Sequence, residues 1–440
     1  NRLGNYDSAL GHYNRVLELS SDISLQGSAA VATADVYYIR GEIDRALDLL
    51  DDLERKLKSD LDEHQVLKLR IDCFRAWTYC VRGDIEAAMK EALKAVNLSE
   101  NLTHLNENEK AQRLGHAYNT IATVHWATAE YSKAKEYYQK ALHIARKHGL
   151  KREAAVTFGN IGLVSEKMGR FDEAIESFLK QLAFSREIGD KLIILSSYGE
   201  VAGSYCSTGQ FTEALESAES YRALAEEVES HHDILLSYNH LGLIHLLTGN
   251  LEKASEYAET AYERSKDSAF NREEGASLYL LGRIAFENEN YASAEKYLNK
   301  ADEHARKVQS KSLLLYILIS LTDLKMHNKQ FDESRQLLDE AESLIEDMGI
   351  RIGQAMIFQR YGKLYATLNE YDKSKIAFDK AVTIFEEINT KPDLAETLNA
   401  YGKMLLTKPN ASSEDIDRGN QCLLHKEELC REMCIIDKKS

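Results

Sequence analysis

Apolar residues recur three or four positions apart along this chain, as in Tyr198, Val201, Ala202 and Tyr205, then Phe211, Ala214, Leu215 and Ala218. That is the period of a helix with one buried face. Gly209-Gln210 separates the two runs, so the pattern predicts two helices joined by a tight turn. The arrangement then repeats. A large residue stands at 131, 171, 211, 251, 291, 331 and 371, a spacing of 40 without a slip. Upstream the same signature begins at Tyr6, Ile43 and Ile85, with spacings of 37, 42 and 46.

Two columns of small residues accompany these anchors. Nine positions before them lie Ala34, Ala76, Ala122, Gly162, Ala202, Gly242, Gly282, Thr322 and Gly362, and Gly402 continues the column. Three positions after them lie Ala9, Ala46, Ala88, Ala134, Ala174, Ala214, Ala254, Ala294, Ser334 and Ser374. Columns twelve apart are what two antiparallel helices need where their backbones touch. Each unit is therefore predicted as a helix of about 15 residues, a turn and a second helix, each rod about 22 Å long. Gly149, Gly189, Gly349 and Asn389 supply a left-handed stop between units. Two prolines in 440 residues, Pro392 and Pro409, leave almost the whole chain free to be helical.

These columns resemble the tetratricopeptide repeat. That pattern's first helix (aromatic, Leu, Gly, Tyr) is matched by Tyr198, Val201, Ala202 and Tyr205, or by Phe358, Tyr361, Gly362 and Tyr365. Its second helix resembles Ala134, Tyr138 and Ala141, or Ala294, Leu298 and Ala301. The family's terminating proline is absent, and the period is 40 rather than the usual ~34. The longer period resembles the repeats of LGN/Pins-type polarity adaptors, bacterial Rap regulators, and the C-terminal arrays of signal-transduction ATPases and adenylate cyclases. The resemblance implies an all-α fold, an α-solenoid winding as a right-handed superhelix of about ten antiparallel helix-turn-helix repeats.

The expected organisation is a partial repeat over 1–21, two irregular repeats over 22–109, seven 40-residue repeats over 110–389, and an atypical capping repeat over 390–440. Asn97 to Glu109 holds about six extra residues, the best place for a bend. Because Asn1 to Tyr6 begins at a turn, the chain reads as a fragment of a larger regulatory or signalling protein. An open solenoid end admits a homodimer.

Charge and chemistry narrow the function. Acids exceed bases by 71 − 55 = 16, which disfavours direct nucleic-acid binding, since phosphates call for clustered Lys and Arg. The longest apolar run, Ser312 to Leu321, is half the ~20 residues a membrane helix needs. Six cysteines in this length are not a disulfide framework, so a reducing, cytoplasmic setting is expected. No phosphate loop, zinc motif or nucleophile elbow occurs; no enzymatic activity, cofactor or metal is expected. His231, His232, His240 and His245 cluster, and Cys422, Cys430 and Cys434 share the last helix with His425 nearby. Cys73 and Cys80 lie seven apart. All read best as packing residues.

Function then falls to the concave wall, which the resemblance assigns to first helices, at positions three before and one, four and five after the small column. In the C-terminal half these are Asn239, Leu243, Leu246 and Leu247; Tyr279, Arg283 and Phe286; Ile319, Asp323 and Met326; Gln359 and Lys363; and Asn399 and Lys403. The N-terminal half offers Tyr38, Cys73, Trp77, Asn119, Thr123, Trp126, Glu166 and Lys167. Arg283, Asp323, Lys363 and Lys403 stand in one column as a ladder, in which Arg283 and the two lysines suit carboxylates, the amides suit a peptide backbone, and Leu243, Leu246, Phe286 and Met326 suit apolar anchors. The set departs from the Lys, Asn, Asn, Lys, Arg clamp of chaperone-binding repeats. The expected function is a scaffold binding a partner peptide or protein segment in this groove. The alternative is a small-molecule-sensing regulatory domain attached to an ATPase, cyclase or transcription regulator.

Overall fold

The three-and-four spacing becomes helix wherever it occurs. A computed structural model of the chain describes residues 6–39, 42–56, 64–102, 105–266, 271–346 and 349–433, and among them are helices and no strand. The early helices are α1 (Tyr6–Leu19), α2 (Ile23–Ile39), α3 (Ile43–Lys56), α4 (Gln65–Arg82), α5 (Ile85–Glu100), α6 (Glu107–Ala127) and α7 (Tyr131–Lys147). The middle of the chain gives α8 (Lys151–Lys167), α9 (Phe171–Ile188), α10 (Lys191–Thr208), α11 (Phe211–Glu227), α12 (His231–Leu247), α13 (Leu251–Ser265) and α14 (Asn271–Glu287). The last are α15 (Tyr291–Lys307), α16 (Lys311–His327), α17 (Phe331–Glu346), α18 (Arg351–Thr367), α19 (Tyr371–Glu387), α20 (Lys391–Thr407) and α21 (Ser413–Glu432).

Each large anchor of the 40-residue units opens its second helix: Tyr131, Phe171, Phe211, Leu251, Tyr291, Phe331 and Tyr371 are first residues. Most helices run 17 residues, about 26 Å, slightly longer than the spacing predicts. The residue before the anchor often caps the helix: the Asn250 and Asn290 side chains accept the Lys253 and Ser293 amides. The extra residues near Asn97 to Glu109 lengthen α6 to 21 residues, begun by a capping box between Asn106 and Glu109. His104 and its neighbour at 103 lie outside the described residues, as do Cys434 and the first five positions.

The small columns are the helix contacts. Ala34, Ala46, Ala76, Ala88, Ala202, Ala214, Thr322 and Ser334 are wholly buried. A Cβ at Gly162 would sit 2.4 Å from the Phe178 ring, and one at Gly282 would sit 2.7 Å from Leu298. Twelve residues apart, the Ser374 hydroxyl donates to the Gly362 carbonyl at 2.8 Å. At Gly402 the neighbour is backbone, the Gly419 carbonyl oxygen 2.9 Å from where a Cβ would stand.

The contacts divide the chain into two units, Asn1–Val164 with Ser177–Ile194, and Ser165–Glu176 with Leu195–Ser440. The first is cored by Ala30, Leu50, Leu67 and Ile71, and by Ala76, Ala92 and Ile121. The second has a core running from Phe171 and Phe211 through Leu318, Ile357 and Phe385 to Ile388, Leu405 and Met433. Its early turns meet its late helices. Bare Gly169 leaves room for Ile388, Gly209 leaves room for Met433, and the Asn389 amide donates to Asp172 at 3.3 Å.

Candidate functional site

The second unit holds a half-open cavity of about 740 Å³, lined along the ends and inner faces of α8, α10, α12, α14, α16, α18 and α20. Its apolar wall includes Phe171, Leu243, Leu247, Phe286, Ile319, Met326 and Met356. Charged and polar groups interrupt that wall. Arg360 donates to Asp323 at 2.9 Å and lies 3.8 Å from Glu396, while Lys363 reaches Glu396 at 2.5 Å. Ser204 donates its hydroxyl to Glu166 across from α10 to α8. Arg283 has the Tyr279 hydroxyl 3.5 Å away.

Electrostatics follow from this crowding. Burial raises the Asp393 carboxyl, and the Glu396 charge adds to it, to about 6. Burial works the same way on Glu396, but Lys363 and Arg360 outweigh it and hold that carboxyl well below the usual range. Burial also raises Glu166, against the Ser204 hydrogen bond. It pushes the Cys206 thiol up to about 12 and the His240 ring down to about 4, so one is a thiol and the other neutral near pH 7. Neither is a nucleophile or a ready base in this wall.

Family models described as tetratricopeptide repeat match residues 153–227, 193–267 and 233–307, residues 115–148 and 357–387, and residues 2–60. The chain belongs to the tetratricopeptide-repeat family. Among solved structures it is similar to a Rap protein complexed with competence and sporulation factor, at 17% identity and TM-score 0.53, over 82% of this chain and 98% of that one. It is similar to the apo quorum sensor NprR from B. thuringiensis, at 15% identity and TM-score 0.55, over 79% and 98%. It is also similar to the Rap conjugation gene regulator of plasmid pLS20 in complex with the Phr* peptide, at 16% and 0.54, over 82% and 96%. At such identities these likenesses concern the fold. No curated protein matches in sequence.

Within the tetratricopeptide array, the cavity gathers Leu243, Tyr279, Arg283, Phe286, Asp323 and Lys363 from the expected set, with Glu166, Lys167, Leu247, Ile319 and Met326. Asn239, Gln359, Asn399 and Lys403 are not among its lining residues. The amides three before the small column point instead at the neighbouring first helix. Asn239 accepts from Ser277 at 3.0 Å, and Gln359 donates to Thr397 at 2.7 Å. In the first unit Asn119 donates to Thr157 at 3.2 Å, again 38 residues along. Gln359 also accepts from Arg360 and is fully buried. These amides pair repeats with one another.

Sequence reasoning missed Tyr316, Met356 and Glu396, six before the small column, and His240, Ser320 and Arg360, two before it. Offsets of minus six, minus two, plus one and plus five are spaced 4, 3 and 4, one helical stripe. Extending the plus-one column along that stripe would have found them. The clustered histidines diverge: His245 stacks on Tyr257, and His232 lies 3.3 Å from Glu273. Among the described residues no three His, Cys, Asp or Glu converge as metal donors. No described helix is long and apolar enough to cross a membrane. Cys73, Cys80, Cys206 and Cys422 are buried and Cys430 half-buried, all unbridged.

Proposed function

We propose that the C-terminal tetratricopeptide unit is a receptor for a peptide, either free or presented by a partner protein, and has no chemistry of its own. The observation that carries this reading is the 740 Å³ cavity itself, whose apolar positions alternate with Arg283, Asp323, Lys363 and Asp393. Cavities of roughly 300–1,000 Å³ suit compact ligands that bury most of their surface. Apolar anchors would seat against Leu243, Phe286 and Met326, and backbone or side-chain polar groups against the charged stripe. Two of the similar folds are complexes, one with competence and sporulation factor and one with a peptide, which supports the same use here. A regulatory or signalling parent fits a receptor of this kind.

Affinity selection from a synthetic peptide pool tests the reading. The wild-type chain should retain a subset of sequences, and Ser320→Trp, which fills the cavity from α16, should retain none of them while melting at the same temperature. Equal retention by both would place binding elsewhere and defeat the reading. The cavity's volume of about 740 Å³ suits a second reading as well, a small-molecule sensor. That reading predicts a thermal shift with metabolites and none with any peptide.

A further inference from the structure

In the N-terminal unit a group of cations shares one wall without a carboxylate bonded to it. Arg70 on α4 and His116 on α6 stand six before the small residues Ala76 and Ala122, the offset that lines the cavity of the other unit. Arg70 is half-buried and donates to the Ser28 hydroxyl on α2 at 3.0 Å. Among the described residues it has no ion pair, and the charge that acts on it is a second cation, Arg113 on α6. Burial lowers the Arg70 guanidinium from its ordinary value, and Arg113 lowers it further. Arg113 is half-buried and unpaired as well, and its Nε is shut off from water without a partner. His116, exposed one turn along α6, feels both arginines. Glu153 on α8 lies on the same side, but it accepts from the Gln112 amide and forms no ion pair with either guanidinium. In a chain of net charge −16, like charges gathered this way repel one another until an anion joins them.

We propose that this wall binds a nucleoside diphosphate, with its terminal phosphoryl group between Arg70 and Arg113 and its base on Trp77. The site is separate from the C-terminal cavity and does not depend on the peptide reading. Two guanidiniums match a phosphoryl dianion in charge and offer paired donors to its oxygens. A carboxylate would neutralise only one of them. Trp77 follows Arg70 by seven residues, two helical turns along the same face and about 10 Å away. Its ring lies against Tyr38 with 4.7 Å between centroids, yet Trp77 is 42% exposed, which leaves part of the indole free for contact. A planar base stacks on such a surface. The span is too long for an aryl phosphate, whose ring and phosphoryl group are joined through one oxygen, and it suits the reach of a diphosphate. A nucleic-acid strand is disfavoured by the surrounding negative charge, which leaves a small ester. The phosphoryl group would be held by side chains, in keeping with a sequence that has no phosphate loop.

Fluorescence of the whole chain reads the site, because Trp77 and Trp126 are its two tryptophans. In Trp126→Phe the emission reports Trp77 alone, and at least one of ADP, GDP, CDP and UDP should quench it saturably. Pyrophosphate should compete with that diphosphate without quenching, and the matching nucleoside should bind about tenfold more weakly or worse. By calorimetry, Arg70→Gln and Arg113→Gln should each weaken the diphosphate by about tenfold and reduce the loss of affinity on adding salt. Arg113→Lys keeps the charge without the fork and should bind with intermediate affinity, so the assignment stays testable if the glutamine variant folds poorly. Trp77→Leu should weaken the diphosphate and leave pyrophosphate unchanged. No quenching by any of the four diphosphates, or wild-type affinity in both arginine variants, would overturn the site. Pyrophosphate or phenyl phosphate bound as tightly as the best diphosphate would overturn the contact between base and Trp77, and with it the nucleotide assignment.

Discussion

Burial acts on single side chains of this molecule according to their partners. In the N-terminal unit, Asp72 on α4 is 3% exposed. Burial raises its carboxyl, Glu91 raises it further, and Arg75 only partly offsets them, giving about 7. Arg75 is drawn away by Asp51 at 2.8 Å and Glu54 at 2.9 Å. Linkage fixes the sign of the consequence. Below about pH 4 the carboxyl is protonated in both folded and unfolded chains. As pH rises toward 7 the unfolded chain loses that proton while the folded one keeps it, so stability declines over that interval. The unit's melting temperature should therefore fall by several degrees between pH 4 and 7, and Asp72→Asn should flatten the slope. Equal slopes in the two proteins would show that Asp72 titrates normally. Residue-scale chemistry of this kind was the least legible part of the sequence. Asp72 sits among apolar neighbours in one line of text, and its partners Glu54 and Glu91 come from other helices.

At the scale of elements, a fixed 40-residue period made the helices readable, because a backbone contact tolerates only small side chains wherever it recurs. Gly242, Gly362 and Gly402 mark such contacts in the sequence and form them in space. The turns were only half visible. Gly169, Gly209 and Gly249 announce a left-handed residue, yet Ala129, Glu289, Lys329 and Asn369 adopt the same conformation at the equivalent turn. There the helices on both sides dictate the backbone, and the side chain bears a strain of about 1–2 kcal/mol. Lys329, φ 61°, is exposed, so Lys329→Gly should raise stability by about 1 kcal/mol in denaturant unfolding. A loss of stability would show that the turn is not strained. The groove columns illustrate the same limit. Leu243, Arg283, Asp323 and Lys363 fall on the cavity, but Asn239 and Gln359, four residues earlier on α12 and α18, rotate onto the next repeat. Sequence period fixes which residues are equivalent; the angle between adjacent repeats decides what each faces.

At the scale of the whole C-terminal unit, small rotations accumulate from repeat to repeat until Asp172 meets Asn389, 217 residues away. No local pattern announces that meeting. Its traces are two bare glycines, 169 and 209, in turns that a left-handed conformation already explains. The seam joins the first and last repeats of the unit, and a half-open cavity of about 740 Å³ suits a compact ligand better than a long segment laid along a groove. A crystal structure of the chain with a peptide recovered by affinity selection tests this account most directly. Density for the peptide should lie between α12, α14, α16 and α18, with an apolar side chain against Phe286 and polar groups along Arg283, Asp323 and Lys363. Density on the outer second helices, or in the N-terminal unit with the cavity left to solvent, would contradict it.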